Sequence, residues 1–306
     1  MQKLLRIGTR ESQLAVWQAT QVQQLLAQHG FASELVYIRS EGDIDLKTPL
    51  YEMGVQGIFT RSLDMALINN RIDLAVHSLK DVPTQLPAGI AQAAVLQRGP
   101  VNDLLVYRNG RNFLDHENYS AVIATSSIRR QAQWLHKYSN HRMENLRGNV
   151  NTRLRKLNEM GWDGAIFAQA GLERINLRPE NSMVLDWMLP APSQGAIVVV
   201  CRKDDEETFA ACSMLNHKLT ALCTMIERNF LRTLLGGCST PISALAVVEG
   251  DQVIFRGNIL SLDGTKKAEI EKIVSLEQAD TLGNAAAKEL LANGGQQIAD
   301  TINRLR

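Results

Sequence analysis

Short apolar runs alternate along this chain with segments whose apolar residues recur every three or four positions. Leu4 to Ile7 predicts a strand, and Gly8-Thr9-Arg10-Glu11-Ser12 a turn that caps a helix with the apolar stripe Ala15, Ala19, Val22 and Leu26. The β-branched and aromatic content of Leu35-Val36-Tyr37-Ile38 predicts a second strand. Residues 41–57 are polar and contain glycine, which predicts a long loop of the kind that serves as a lid or binding loop. Phe59, Leu63 and Leu67 mark a second helix, and Ile72 to Val76 a third strand that ends at His77-Ser78-Leu79-Lys80-Asp81-Val82-Pro83. Strands separated by helices predict βαβ units and a parallel sheet.

The same pattern restarts after Gly99-Pro100. Ala121 to Ala124 reads as a strand, and Thr125-Ser126-Ser127 caps a helix that begins near Ile128. A short strand precedes Arg147, a helix runs from Arg153 to Met160, and Asp163 to Ala168 is a buried strand. Pro190-Ala191-Pro192-Ser193-Gln194-Gly195 breaks the chain before the apolar strand Ala196 to Cys201. From about Asn216 the alternation stops. A helix over Thr220 to Leu234 leads to Gly236-Gly237-Cys238, two strands flank Asp263-Gly264, and a last helix from Ala285 to Ala292 stops at Asn293-Gly294. That tail is α+β.

Composition narrows the class. A chain of 306 residues suggests two or three domains, and a hydrophobic fraction of 45% supplies more than one core. The net charge of +1 argues against a nucleic-acid or membrane-surface partner, which would call for a basic excess. Cys201, Cys212, Cys223 and Cys238 form no C-x-x-C pair and have no histidine at metal-ligand spacing, so neither a disulfide scaffold nor a metal site is expected. Arg6 interrupts the N-terminal apolar residues, and the longest apolar run, Ala196 to Cys201, is far too short to span a membrane. A soluble cytoplasmic protein is expected.

Chemistry concentrates where strands run into loops, the place where ligands bind in open α/β sheets. Arg10 and Ser12 follow the first strand, Lys80 and Asp81 the third, and Thr125-Ser126-Ser127 with Arg129-Arg130 the strand of the second unit. Arg147 and Arg153 flank Gly148-Asn149-Val150-Asn151-Thr152. One arginine at a helix start is ordinarily a solvated surface residue. Five at equivalent topological positions, beside free helix N-terminal N–H groups, suit a polyanion held by two facing α/β domains. The chain has no glycine-rich phosphate loop, which disfavours ordinary nucleotides. Asp81 is either an ion-pair or turn residue or a carboxylate that stabilises a cation and moves protons. Cys238, after two glycines, is either an inert loop thiol or a nucleophile or attachment point. His77 is expected to pack or hydrogen-bond at its strand end, and Cys201 and Cys212 to be small core residues.

Taken in order, these segments resemble the porphobilinogen deaminase (hydroxymethylbilane synthase) family. The resemblance runs from about Leu5 to about Leu291 and rests on Arg10-Glu11-Ser12-Gln13-Leu14-Ala15, Ala75 to Pro83, Thr125 to Arg130, Leu146 to Arg153, Ala170-Gly171-Leu172-Glu173-Arg174, Gln194-Gly195-Ala196 and Gly236-Gly237-Cys238. It implies an α/β fold: two periplasmic-binding-protein-like (type II) α/β domains, residues 1–97 with 196–213 and residues 101–190, plus a smaller C-terminal α+β domain, 217–306. It implies a transferase that joins four porphobilinogen molecules head to tail into hydroxymethylbilane, releasing ammonia at each step of haem-type tetrapyrrole synthesis. It also implies a dipyrromethane cofactor bound covalently through a thioether on Cys238 and held by Lys80, Asp81, Thr125, Ser127, Arg129, Arg130 and Gly148. Arg10, Ser12, Phe59, Arg147, Arg153, Ala168 and Gln194 would bind substrate, and Asp81 would be the catalytic carboxylate. The implied partner is the small molecule porphobilinogen, with no nucleic acid and no membrane, and the protein is expected as a monomer. The chain departs from the family pattern at Gln56, where lysine is frequent, at Ala124 and Ser193, where glycine is usual, and at Val200, where glutamate is common.

Overall fold

The computed structural model describes residues 3–39, 60–116, 118–234 and 240–304. The expected loop at 41–57, Phe59 and the Gly236-Gly237-Cys238 turn lie outside the described residues. In chain order the elements are β1 (Leu5–Thr9), α1 (Gln13–Gln28), β2 (Ser33–Tyr37), α2 (Arg61–Ile68), β3 (Leu74–Ser78), β4 (Ile90–Val95) and β5 (Asp103–Tyr107). Next come β6 (Val122–Ala124), α3 (Ile128–Lys137), β7 (Arg142–Glu144), α4 (Val150–Glu159), β8 (Gly164–Ala168), α5 (Gln169–Glu173) and β9 (Ser182–Leu185). The chain closes with β10 (Ile197–Arg202), α6 (Glu206–Ser213), α7 (Lys218–Thr233), β11 (Ile242–Glu249), β12 (Gln252–Leu260), β13 (Lys267–Ser275), α8 (Leu282–Leu290) and α9 (Gln296–Arg304).

These elements form two units. The first comprises the described residues of 3–99 and 195–222, the second those of 100–194 and 223–304. The first holds a five-stranded sheet in the order β2-β1-β3-β10-β4, and the second a five-stranded sheet in the order β7-β6-β8-β5-β9. The expected parallel sheets are in fact mixed. β1 is parallel to β2 and β3, but β10 runs antiparallel to β3 and β4. Likewise β6 is parallel to β7 and β8, but β5 runs antiparallel to β8 and β9. Connectivity explains the exception. The chain leaves the first unit after Gly99 and returns to it at Gly195. β5 and then β10 are each entered from the other unit and not through a βα crossover within their own sheet, so nothing sets them parallel.

Both faces of each sheet are covered, so its strands alternate between two cores. Leu5, Ile7, Leu74, Val76, Ile197 and Val199 pack with Ala19, Val22 and Leu26 of α1. Ala75, Ala196, Val198 and Val200 pack with Leu63, Ala66 and Leu67 of α2 on the other face. The valine that stands in for a common glutamate is thus a core residue. In the second unit, Leu104, Ala124, Ala165 and Phe167 serve one core, and Leu105, Ile123, Ile166 and Trp134 the other. At the N-terminal ends of β1 and β3 an ion cluster ties the first sheet together. Arg6 donates to Asp73 from its backbone N–H and its guanidinium, with Lys3 and Arg202 also paired to that carboxylate. Burial alone would raise the Asp73 pKa, but Arg6 and Lys3 hold it well below the usual carboxylate range.

A third sheet, β11-β12-β13, is antiparallel throughout and completes the expected strand pair around Asp263-Gly264 with one further strand. It belongs to the second unit and bonds to α3: Gln133 Nε2 donates to Ser243 Oγ at 3.0 Å, and His136 Nδ1 lies 2.7 Å from the Gly264 carbonyl oxygen. The sheets bear out the expected α/β class, with two five-stranded α/β sheets and an additional α+β element. Asn293-Gly294 does stop a helix, since Gly294 takes φ +98°. The chain then resumes as α9, anchored by buried Ile298 and Ile302.

Candidate active site

In the first unit, the C-terminal ends of β1 and β3 open into a cavity lined by Arg10, Ser12, Leu14, Ala15, Gln18, Thr60, Val76, His77, Ser78 and Asp81. Local chemistry puts these groups there. Ser12 is the N-cap of α1, its Oγ accepting from the Ala15 N–H, so Arg10 and Ser12 are fixed at the turn out of β1. β3 ends at Ser78 and passes into the short 3-10 turn Leu79–Asp81. Buried Leu79 anchors that turn, while Lys80 and Asp81 stay partly exposed. The cavity thus joins a cation, hydroxyls, an amide and a carboxylate.

Four polar lining residues were not read as site residues from the sequence: Gln18, Thr60, His77 and Ser78. Gln18 is buried on the packed face of α1 and donates to Ser78 Oγ at 2.8 Å. Its spacing from Ala15 and Val22 was the available signal, a polar residue on an apolar helix face. His77 was expected to pack or hydrogen-bond. It packs, at 6% exposure, but its Nε2 is buried without a hydrogen-bond partner. Burial, reinforced by the Arg10 charge, pushes the His77 pKa down to about 4, so the imidazole is neutral at physiological pH. Since the unfolded chain binds that proton near 6.5 and the native chain only near 4, acid favours unfolding within that window. Relative to a His77→Leu variant, wild type is expected to lose about 3 kcal/mol of stability between pH 6.5 and pH 4, measurable by denaturant titration at each pH. Parallel stability curves for the two proteins would contradict this.

In the second unit, β6 runs into Thr125, whose Oγ1 accepts from the Ser127 N–H, and Ser127 N-caps α3. Arg129 and Arg130 follow in the first turn, each 5% exposed, and both engage Asp103 at the start of β5. Arg129 Nη2 donates to Asp103 Oδ2 at 2.8 Å, and Arg130 Nη2 to Oδ1 at 2.7 Å. Arg129 also donates to the Leu189 carbonyl, and Arg130 to that of Ile166. Gln194, fully buried, donates to Asp103 Oδ1 at 2.9 Å and to the Val101 carbonyl. Two guanidiniums against one carboxylate leave this cluster formally cationic. Burial pushes the Arg129 pKa down and Asp103 pulls it back, while Arg129 Nε remains a buried donor without a hydrogen-bond partner.

A second helix start lies nearby in sequence. Asn149 N-caps α4, accepting from the Thr152 N–H, and Arg153 Nε donates to the Gly148 carbonyl at 2.7 Å. Gly148 has φ +114°, and a Cβ there would come within 2.8 Å of Thr152 Cβ and Cγ2, so only glycine fits. Arg147 is 2% exposed, and Ala168 ends β8 half-buried. Arg174 adds a further guanidinium, its pKa pushed down to about 10 by burial and hence still charged at neutral pH. Ser193, which stands where glycine is usual, takes φ +65° and donates its backbone N–H to Glu227 at 2.6 Å. The usual glycine is thereby explained. Cys201 and Cys212 are buried, with thiol pKa values pushed up by desolvation to about 11 and about 12, as inert core residues should be.

The comparisons with known proteins decide the family. Residues 5–210 match the family model "Porphobilinogen deaminase, dipyromethane cofactor binding domain", and residues 221–292 match "Porphobilinogen deaminase, C-terminal domain". The chain belongs to the porphobilinogen deaminase family. It is 39% identical over 312 residues to the porphobilinogen deaminase of Chlorobium phaeobacteroides, covering 99% of both chains. To that of Syntrophotalea carbinolica it is 41% identical over 298 residues, covering 96% of this chain and 94% of the relative. Among solved structures, the methionine-binding protein MetQ is similar over 69% of this chain and 89% of its own, with a TM-score of 0.43 and 13% identity. The chain is therefore a transferase of the porphobilinogen deaminase family, with a dipyrromethane cofactor-binding domain. No helix among the described residues is long and apolar enough to cross a membrane.

Proposed function

We propose that this chain condenses four porphobilinogen molecules head to tail into hydroxymethylbilane, losing one ammonia at each addition, with Asp81 as the catalytic carboxylate. The observation that carries this reading is the cavity itself. It sets Asp81 beside Arg10 and Ser12 at the strand ends of the first unit. Porphobilinogen bears an acetate, a propionate and an aminomethyl group on one pyrrole ring. Arg10 and Ser12 suit its carboxylates, and Asp81 suits the cation that forms as ammonia departs. A fixed carboxylate aimed at developing charge is a large catalytic contribution, because it needs no reorganisation at the moment of reaction. The same Asp81 oxygens then take the proton that the new carbon–carbon bond displaces.

The donors of the second unit fit an acidic dipyrrole. The Asp103 cluster keeps a net positive charge and an unpartnered Arg129 Nε, and α3 and α4 offer capped N-terminal turns. On this reading Thr125, Ser127, Arg129, Arg130 and Gly148 hold the cofactor, with Lys80 and Asp81 from the first unit and Cys238 as the thioether attachment. Arg147, Arg153, Ala168 and Gln194 serve the substrate chain, as does Phe59. When bound, the dipyrromethane supplies the terminal pyrrole carbon at which growth begins. Gln194 serves indirectly, by fixing Asp103 and through it both arginines. We place the protein in the cytoplasm as a monomer, in keeping with the buried, disulfide-free Cys201 and Cys212, and near-neutral charge supports no nucleic-acid or membrane partner.

The test is stoichiometric. Purified protein supplied with porphobilinogen should release one ammonia per porphobilinogen consumed, and Cys238→Ala should release none. Porphobilinogen left unconsumed by wild type, or full activity in Cys238→Ala, would overturn this reading.

A further inference from the structure

Buried side-chain nitrogens in native proteins nearly always have a partner, and one that does not calls for a reason. His77 Nε2 is such an atom. Its residue lies at the end of β3, where the buried run Leu74-Ala75-Val76 meets the cavity, and it lines that cavity with Arg10, Gln18 and Asp81. The other neutral polar groups there have local roles. Gln18 Nε2 donates to Ser78 Oγ, and Ser12 Oγ caps α1. Nothing about packing requires nitrogen at position 77, since leucine would fill a strand end flanked by Val76 and, across β10, by Val198.

We infer that His77 is a substrate-positioning residue in the Asp81 cavity, its neutral imidazole Nε2 accepting a hydrogen bond from a nitrogen-bound hydrogen of the incoming pyrrole substrate. Two observations fix the polarity of that bond. Burial and the Arg10 charge keep the ring unprotonated, so it is poorly suited to hold a carboxylate, and Arg10 already serves that purpose. The substrate's remaining polar groups are its ring N–H and its ammonium, both donors, and a neutral imidazole nitrogen matches either. The arrangement divides labour in the cavity: Arg10 selects the acidic side chains, His77 orients the nitrogen-bearing edge, and Asp81 acts on the cation. The inference rests on the proposed porphobilinogen chemistry.

The test compares wild type, His77→Leu and His77→Gln, using porphobilinogen as the probe and thermal melting as the control. His77→Leu removes an unsatisfied buried nitrogen, so its Tm should match or exceed that of wild type at neutral pH. Its KM for porphobilinogen should rise about tenfold or more, with a smaller change in kcat. His77→Gln, whose side-chain oxygen restores an acceptor, should recover most of that loss. An unchanged KM in His77→Leu, with wild type active, would overturn the inference and leave His77 a packing residue. So would an equal loss in His77→Gln and His77→Leu. If wild type itself fails to consume porphobilinogen, it is the underlying reading that falls.

Discussion

Asp81→Asn will still bind porphobilinogen and will lose turnover by on the order of 10²–10⁴-fold. The substitution keeps the shape of the side chain and removes both its charge and its capacity to take a proton. Binding survives because Arg10, Ser12 and the other cavity groups are untouched. The comparison is made at saturating substrate, where kcat reports the chemistry and not the affinity. Near-normal kcat would remove Asp81 from its role. A kcat preserved with a KM raised by orders of magnitude would make it a binding group instead.

The largest expected effect on stability lies at Asp103. This carboxylate is fully buried and accepts from Arg129, Arg130 and Gln194 together. Asp103→Asn leaves two buried guanidiniums facing one another without a counter-ion. Breaking a buried ion pair from one side costs about 3–5 kcal/mol. In a unit of this size that corresponds to a fall in Tm of roughly 10 °C, read by calorimetry on the full chain. A melting temperature within a degree of wild type would show that the cluster contributes nothing to folding. Because α3 presents these arginines through Asp103, the variant should also lose activity at temperatures where it remains folded.

Strong periodicity made much of the fold legible. Ala19, Val22 and Leu26 are the buried stripe of α1, and Ile197 to Cys201 lie in β10 as their continuous apolar run required. Several strands escaped because their residues speak against their state. β4 is Ile-Ala-Gln-Ala-Ala-Val and β11 carries Ala244 and Ala246, and alanine is depleted in strands. β9 has only four residues at a sheet edge. Sheet direction was also hidden, since it depends on where the chain goes between units and not on any local pattern.

The site divides in the same way. Arg10, Ser12 and Asp81 were legible because each lies within a few residues of a strand end, where the junction rule applies. Arg129 and Arg130 were legible as cations at a helix start. Their carboxylate partner was not, because Asp103 lies 26 positions before Arg129, at the head of a different strand, and no local spacing joins the two. His77 was visible as a residue but not as a cavity group. Only three-dimensional burial shows a polar atom without a partner.

The most direct test of the whole account is the intact mass of the protein itself, titrated with limiting porphobilinogen. The account predicts a base species heavier than the polypeptide by one dipyrrole, followed by a ladder of equally spaced species, each one pyrrole unit heavier. It also predicts that Cys238→Ala shows neither the base adduct nor the ladder. A wild-type protein that stays at its bare polypeptide mass at every porphobilinogen concentration would contradict it.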